Sequence, residues 1–215
     1  MPLNFLPDTA TFLAYSLACF VLFITPGPDM SLFLAKTVQG GRKAGIAAML
    51  GAMTGCLFHT FFAALGLSAL VAASTTAFGI VKGVGALYLL WLAVDAIRNG
   101  SALNIADGGE QVFSFRKTFL LGIGINLTNP KVVLFFITFL PQFVTAGDPH
   151  AAQKLFFLGI YFVLFSVPLA FLMILAAERV IGTLKANPKV MRGIDYSFAG
   201  IFGIFAVHIL RTQTP

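Results

Sequence analysis

Charged residues are scarce in this chain of 215 residues, where Asp, Glu, Lys and Arg together make up only 10%. Soluble domains carry about 25% charged residues, so this composition argues against a water-exposed globule. The few charges are also segregated, because none lies within 9–28, 44–81 or 155–177. Each of these stretches has the roughly 20 residues needed to cross a bilayer. The shortage of charge therefore predicts an all-α membrane protein with several spans.

Cysteine is equally rare, with Cys19 and Cys56 as the only two. Both lie in apolar segments and they do not form a C-x-x-C pair, which argues against a disulfide framework or a metal knuckle. We interpret them as buried structural thiols. The chain also lacks a Walker loop, a Rossmann fingerprint, zinc-ligand spacing and a nucleophile elbow. These absences predict a protein that is not an enzyme and holds no cofactor or metal.

The apolar segments predict six transmembrane helices in a single domain that covers residues 1–215. Their expected bounds are 10–34, 44–72, 78–97, 118–144, 155–177 and 194–210. The stretch 99–117 contains a polar, Gly-containing run and is interpreted as a linker between two three-helix repeats, about 1–98 and 118–215. An odd number of helices in each repeat inverts one repeat relative to the other. We therefore expect two inverted three-helix repeats.

Two of these helices are interrupted. Residues 25–29 (Thr-Pro-Gly-Pro-Asp) break the first helix and residues 126–131 (Asn-Leu-Thr-Asn-Pro-Lys) break the fourth. The breaking residues themselves are Pro26, Gly27, Pro28 and Pro130. Lipid cannot hydrogen-bond a backbone freed by proline, so such breaks persist where protein or a watery cavity meets them. A matched pair, one in each repeat, is typical of the central binding site of a transporter.

Lys and Arg are distributed unequally between the two sides of the membrane. Ten lie near the loops after the first, third and fifth helices, whereas three lie on the opposite side. By the positive-inside rule, this asymmetry predicts that both termini lie outside the cytoplasm. We interpret the basic loops as facing anionic lipid headgroups and not nucleic acid.

Three ionisable side chains fall inside predicted helices: Asp29, His59 and Lys131. Each costs several kcal/mol in lipid by most estimates, so each is a functional candidate. Asp29 is expected to accept a proton or an ammonium group, although it could instead cap the half-helix that begins at Pro28. Lys131 is expected to pair with Asp29 across the two breaks. His59 is either hydrogen-bonded within the bundle or titrating.

Amide side chains and glycines complete the set of candidates. Asn126 and Asn129 offer donors and acceptors beside the second break, where a substrate could bind. Gly51 and Gly55 form a small-xxx-small pair, with Gly45 upstream, and are expected to allow close approach of two helices.

Four motifs together resemble the LysE/RhtB family of amino-acid exporters. They are Thr-Pro-Gly-Pro-Asp at 25–29, Gly-Arg-Lys-Ala-Gly at 41–45, Asn-Pro-Lys at 129–131 and Phe-Leu-Pro-Gln-Phe at 139–143. The resemblance covers essentially the whole chain. It implies a multi-pass carrier in the bacterial inner (plasma) membrane that exports amino acids or related small metabolites by proton antiport. Members differ in cargo, so the family does not identify the substrate.

We therefore expect a secondary active exporter that works by alternating access, with a small-molecule substrate, protons and the lipid bilayer as its partners. A homo-oligomer is compatible with the sequence. One alternative is a membrane thiol-disulfide carrier, but Cys19 and Cys56 lie in the same half and neither adjoins a break. The other is a passive channel or a scaffold. A channel would dissipate gradients, whereas a carrier would give saturable, proton-dependent efflux.

Overall fold

A computed structural model describes residues 7–100, 113–145 and 147–212. Within these ranges all regular structure is helical. Four of the described helices are long and apolar enough to cross a membrane, or five if the bent pair 115–143 counts as one span. The prediction of an all-helical membrane protein is thus confirmed. Residues 101–112 of the expected linker lie outside the described ranges.

The first half of the chain contains four α-helices and one π-helical segment. In chain order these are α1 (Thr9–Ile24), α2 (Pro28–Phe62), a π-helical segment (Ala63–Leu67), α3 (Ser68–Ala73) and α4 (Thr75–Asn99). The second half follows with α5 (Phe115–Thr128), α6 (Pro130–Leu134), a π-helical segment (Phe135–Phe139), a 3₁₀ turn (Leu140–Phe143), α7 (Ala151–Leu175), α8 (Ala177–Ala186) and α9 (Pro188–Thr212). Both expected breaks are present, since α1 ends before Pro26 and α5 ends before Pro130.

Side-chain caps explain where several helices begin. The Asp8 carboxylate accepts a hydrogen bond from the Thr11 amide at 3.0 Å and so caps α1. The Ser74 hydroxyl does the same for α4, and Asn129 accepts from the Lys131 amide at 3.1 Å to cap α6. Such caps satisfy backbone donors that have no partner inside the helix. Pro130 follows Asn129 at the first helical position, where its missing N–H costs nothing.

The basic segment expected between the first two spans is a kink within α2. Gly40 and Gly41 have non-helical backbone angles, and Gly41 has a φ of 73°. This left-handed conformation suits glycine because it has no Cβ. Residues 35–39 contain no helix breaker, so the helix continues past the expected end at residue 34 until it meets the glycines.

The packing places the second break in the middle of the bundle. α2 runs along α5 and α7, and α4 runs along α9. The π-helical segment after α6 is buried among them, with Phe135, Phe136 and Phe139 almost completely covered. Leu164 and Ile204 are instead 67% and 72% exposed, so a broad apolar surface faces outward. Large exposed apolar surface is what a lipid-facing exterior requires.

Candidate functional site

The two helix breaks are in direct contact. The ammonium of Lys131, in the first turn of α6, donates to the carbonyl oxygens of Leu22 at 3.0 Å and of Thr25 at 2.6 Å. Both carbonyls belong to the end of α1, where the break leaves them without helical partners. A positive charge at the carbonyl end of a helix also interacts favourably with the helix dipole. The second break therefore supplies the polar group that the first break requires.

Asp29 is held by a residue from the other half of the chain. Its Oδ2 accepts a hydrogen bond of 2.8 Å from the side-chain amide of Asn126, which is fully buried in the last turn of α5. Its Oδ1 is buried and has no hydrogen-bond partner. One oxygen of this carboxylate is thus anchored, while the other accepts no hydrogen bond.

Asp29 and Lys131 do not form the expected direct ion pair. Lys131 binds the carbonyls of α1, and Asp29 binds Asn126. An ion pair within 4.0 Å is formed elsewhere, between Lys154 and Asp148. The two charges therefore lie in one site but are positioned by different partners.

His59 and Asn129 lie beside the same break. The His59 Nε2 is 3.4 Å from the backbone oxygen of Asn126, and its ring stacks on Phe136 at 5.5 Å between centroids. Asn129 caps α6 through Oδ1, whereas its Nδ2 is buried without a partner. His59, from the first half of the chain, thus contacts the carbonyl end of α5 in the second half. Lys131, from the second half, contacts the carbonyl end of α1 in the first half.

A small cavity of about 40 Å³ lies between these groups. Its polar lining consists of Asp29, Lys131, Cys56 and Ser166, and most of the rest is apolar, including Met30, Met53, Phe162 and Met173. The Ser166 hydroxyl is fully buried and has no hydrogen-bond partner, as is true of Asp29 Oδ1. Unpartnered buried polar atoms are costly, so two of them in one cavity mark a place where a ligand or water supplies the missing bonds.

The cavity volume shows what the site holds in this conformation. About 40 Å³ accommodates a water molecule. Pockets that enclose small-molecule ligands have volumes of about 300–1,000 Å³. The site must therefore widen before it admits a molecule of that size. Flexible methionine side chains in the wall allow such a change at modest cost.

Gly51 and Gly55 lie in the contact between α2 and α5, whereas Gly45 lies in the contact of α2 with α7. A methyl group added at Gly51 would overlap the carbonyl oxygen of Phe119, and one added at Gly55 would lie 2.8 Å from the Cβ of Asn126. Gly45 faces Thr37 and Ile174 in the same tight manner. The absence of side chains at Gly51 and Gly55 lets α5 approach closely enough for Asn126 to reach Asp29.

Sequence reasoning missed Ser166 and the role of Cys56. Cys56 is buried as expected, but its sulfur lies 3.4 Å from Asn126 Nδ2 in the central cavity and is part of the site. Ser166 is an isolated hydroxyl two residues before Pro168 inside α7, and this pairing of a polar residue with a helix-interior proline was the available signal. No group of three or more His, Cys, Asp or Glu side chains in the described ranges is arranged to hold a metal.

Comparison with known proteins identifies the family. The sequence model of LysE type translocators matches residues 20–213. The chain belongs to the LysE type translocator family. It is therefore a membrane translocator and not an enzyme.

Several relatives of this translocator cover most of its length. It is 30% identical over 189 residues to a homoserine/homoserine lactone efflux protein of Salmonella typhimurium, which is 88% of this chain and 90% of that protein. It is 30% identical over 179 residues to a leucine efflux protein of Salmonella choleraesuis, with coverage of 82% and 84%. An uncharacterized membrane protein of Bacillus subtilis, YrhP, is 33% identical over 163 residues, with coverage of 72% and 77%. No solved structure matches this translocator.

Proposed function

We propose that this protein is a secondary active exporter of amino acids or related small metabolites, driven by the proton-motive force. The observation that carries the proposal is the meeting of two broken helices at a cavity with an unpartnered carboxylate oxygen of Asp29. Relatives named as homoserine and leucine efflux proteins support amino-acid cargo. The mostly apolar cavity wall favours neutral side chains over dibasic ones, because only one acidic residue lines it.

The site suggests a role for each charged group. Asp29 Oδ1 accepts either the substrate ammonium or a proton. Because one replaces the other, export of the substrate is coupled to entry of a proton. Lys131 attracts the substrate carboxylate while it holds the end of α1. Asn126 keeps the Asp29 carboxylate oriented, and Ser166 offers a hydroxyl to the substrate. One charge moved through 100 mV supplies about 2.3 kcal/mol, enough for roughly a forty-fold gradient.

The architecture proposed for this activity is six spans arranged as two inverted repeats that rock about the central cavity. The first span would consist of α1 with the start of α2, and the fourth of α5 with the segment 130–143, which bends by 53° at the break. The contact between α4 and α9, the last helix of each repeat, supports a pseudo-twofold arrangement. Both termini would face outward from a bacterial inner membrane.

A resistance screen tests the function. Cells that express the protein are challenged with toxic concentrations of individual amino acids and analogues, and protection by one chemical class is expected. The Asp29→Asn variant should lose this protection, whereas Asp95→Asn, a matched change at a carboxylate outside the cavity, should keep it. In proteoliposomes the efflux should saturate and depend on an imposed pH gradient. Unsaturable flux that collapses the gradient would instead indicate a passive channel.

A further inference from the structure

A second cavity lies at the end of the bundle where α1 begins and α9 ends. Its volume of about 470 Å³ is more than ten times that of the central cavity. Its polar lining includes Asp8, Lys82, Gln142, Lys154 and His208. We call this space the vestibule. Its volume falls in the range of pockets that enclose small molecules.

Two lysine ammonium groups line the vestibule, and each has N–H donors left for a ligand. Lys82 donates one hydrogen bond to the backbone oxygen of Val144 at 3.2 Å, and Lys154 donates to Asp148 at 2.5 Å. An ammonium has three protons, so each lysine retains two for a ligand. Among the described residues of the lining the one carboxylate is Asp8, and both of its oxygens already accept bonds from Thr11. The lining is therefore suited to bind a carboxylate.

The vestibule lining also contains a hydrogen-bond acceptor, the side-chain amide oxygen of Gln142. The side-chain Nε2 of Gln142 donates to the backbone oxygen of Thr138 at 2.7 Å, and this bond fixes the orientation of the amide. The remaining Oε1 is buried and has no hydrogen-bond partner. Buried carbonyl oxygens are normally paired, so this one lacks a donor that a ligand could provide.

One short segment connects the two cavities. Lys131 of the central cavity lies in the first turn of α6, and the buried π-helical segment Phe135–Phe139 that follows leads to Gln142 of the vestibule. Between the cavities Tyr15 stacks on Phe135 and Phe139, and its hydroxyl donates to the backbone oxygen of Leu158 at 2.9 Å. An aromatic layer thus separates the cavities, and the vestibule is a distinct compartment.

We propose that the vestibule is a second substrate site that holds the zwitterionic part of an amino acid. Lys82 and Lys154 bind the carboxylate, and Gln142 Oε1 accepts from the ammonium. The proposal rests on the proposed export function, under which the vestibule faces outward and receives cargo that leaves the central cavity. Recognition here involves only the backbone of the amino acid, so side-chain selectivity stays with the central cavity. External amino acid would then compete with departing cargo for this site.

L-Alanine is a suitable probe because it has both charges and a minimal side chain. Binding is measured by calorimetry and saturation-transfer NMR on purified full-length protein that carries Asp29→Asn, which disables the central cavity. We expect this variant to bind alanine. Adding Lys82→Met should weaken binding at least tenfold, whereas Lys36→Met, the same change outside both cavities, should leave it unaltered. Thermal unfolding verifies that each variant is folded.

A probe with a single charge distinguishes the part of the site that binds the carboxylate from the part that binds the ammonium. Gln142→Leu should weaken alanine binding but leave acetate binding unchanged, since acetate has no ammonium. Lys82→Met should weaken both. If Lys82→Met does not fold, Lys154→Met tests the binding of the carboxylate instead.

The outcomes separate this inference from the export function. The vestibule site would be overturned if Asp29→Asn alone abolished alanine binding, or if Lys82→Met left alanine binding unchanged. Neither result would affect the test of export in the resistance screen. Alanine bound in the vestibule of a protein that fails every transport assay would contradict only the export function.

Discussion

Asn126 donates its side-chain amide to the carboxylate of Asp29 over 2.8 Å, and this bond joins the last turn of α5 to the first turn of α2. Asn126 also lies within 3.4 Å of the Cys56 sulfur. The amide is thereby held from two sides and fixes one carboxylate oxygen of Asp29. The second oxygen is buried without a partner. We therefore propose that Asp29 is a preorganised acceptor for an ammonium or a proton.

Asp29→Asn should abolish most transport without disturbing the fold. The substitution keeps the shape of the side chain and its contact with Asn126 but removes the charge. Hydrogen bonds to a charged group contribute about 1.5–3 kcal/mol, so substrate counterflow in proteoliposomes should fall about ten- to hundredfold. Asp95→Asn is the matched control, since the Asp95 carboxylate accepts a hydrogen bond from Asn99 of the same helix and lines neither cavity. Equal activity in both variants would remove Asp29 from the mechanism.

Lys131→Met should destabilise the protein as well as impair transport. The change leaves the carbonyl oxygens of Leu22 and Thr25 without their donor in a buried region. Unsatisfied buried groups cost about 1–3 kcal/mol each, and we expect a loss of about 2–3 kcal/mol in the free energy of unfolding. Thermal or denaturant unfolding in detergent measures it. Lys43→Met, at an exposed lysine of α2, should lie within about 0.5 kcal/mol of the parent, as surface changes usually do.

The double variant Asp29→Asn/Lys131→Met distinguishes two arrangements of the charges. If the two side chains neutralised each other directly, removal of both would restore activity that each single change destroys. In the structure they bind different partners, Asn126 and the end of α1. We therefore expect transport by the double variant to remain as low as that of the worse single variant. Recovery towards parental counterflow would show that a direct ion pair forms during the cycle.

The sequence was informative where local chemistry dictates structure. A proline removes a backbone donor wherever it occurs, so the breaks at Pro26 and Pro130 could be located without coordinates. The long uncharged runs likewise indicated helices in lipid. By contrast, the kink at Gly40 and Gly41 was expected to be a loop, because basic residues follow it. Basic charge does not by itself end a helix.

The partners of the site residues could not be predicted in the same way. Lys131 binds residues more than a hundred positions earlier, and its choice of the α1 carbonyls over Asp29 depends on the packing of the breaks. Opposite charges suggested a pair, but freed carbonyls compete for the same ammonium. Ser166 was missed because a lone hydroxyl in a helix usually bonds its own backbone, and only the structure shows that this one does not.

Gly51→Ala should destabilise the contact between α2 and α5. The added methyl group would overlap the backbone of Phe119, which cannot move without shifting α5. Overpacking of this kind costs about 1–3 kcal/mol, measured as a lower free energy of unfolding in detergent. Gly124→Ala on α5 is the control, because no atom lies within 4 Å of the added group. Alanine is the better helix former, so this control should be neutral or stabilising by up to about 1 kcal/mol. Equal effects at both positions would refute tight packing at Gly51.

Asp148 should make a pH-dependent contribution to stability at the bundle end that holds the vestibule. Partial burial acts to raise its pKa, but hydrogen bonds from Lys154 and from the His150 amide outweigh this and hold the pKa below the usual 3.8. A depressed pKa in the folded state means that the contribution is fully present above about pH 4 and is lost as the pH falls through the folded value. Asp148→Asn should therefore destabilise by about 0.5–1 kcal/mol at neutral pH, since the pair is partly screened by solvent. The difference in unfolding free energy from the parent should shrink in acid below that point. If the difference in unfolding free energy instead stays constant below about pH 4, Asp148 acts through packing and not through its charge.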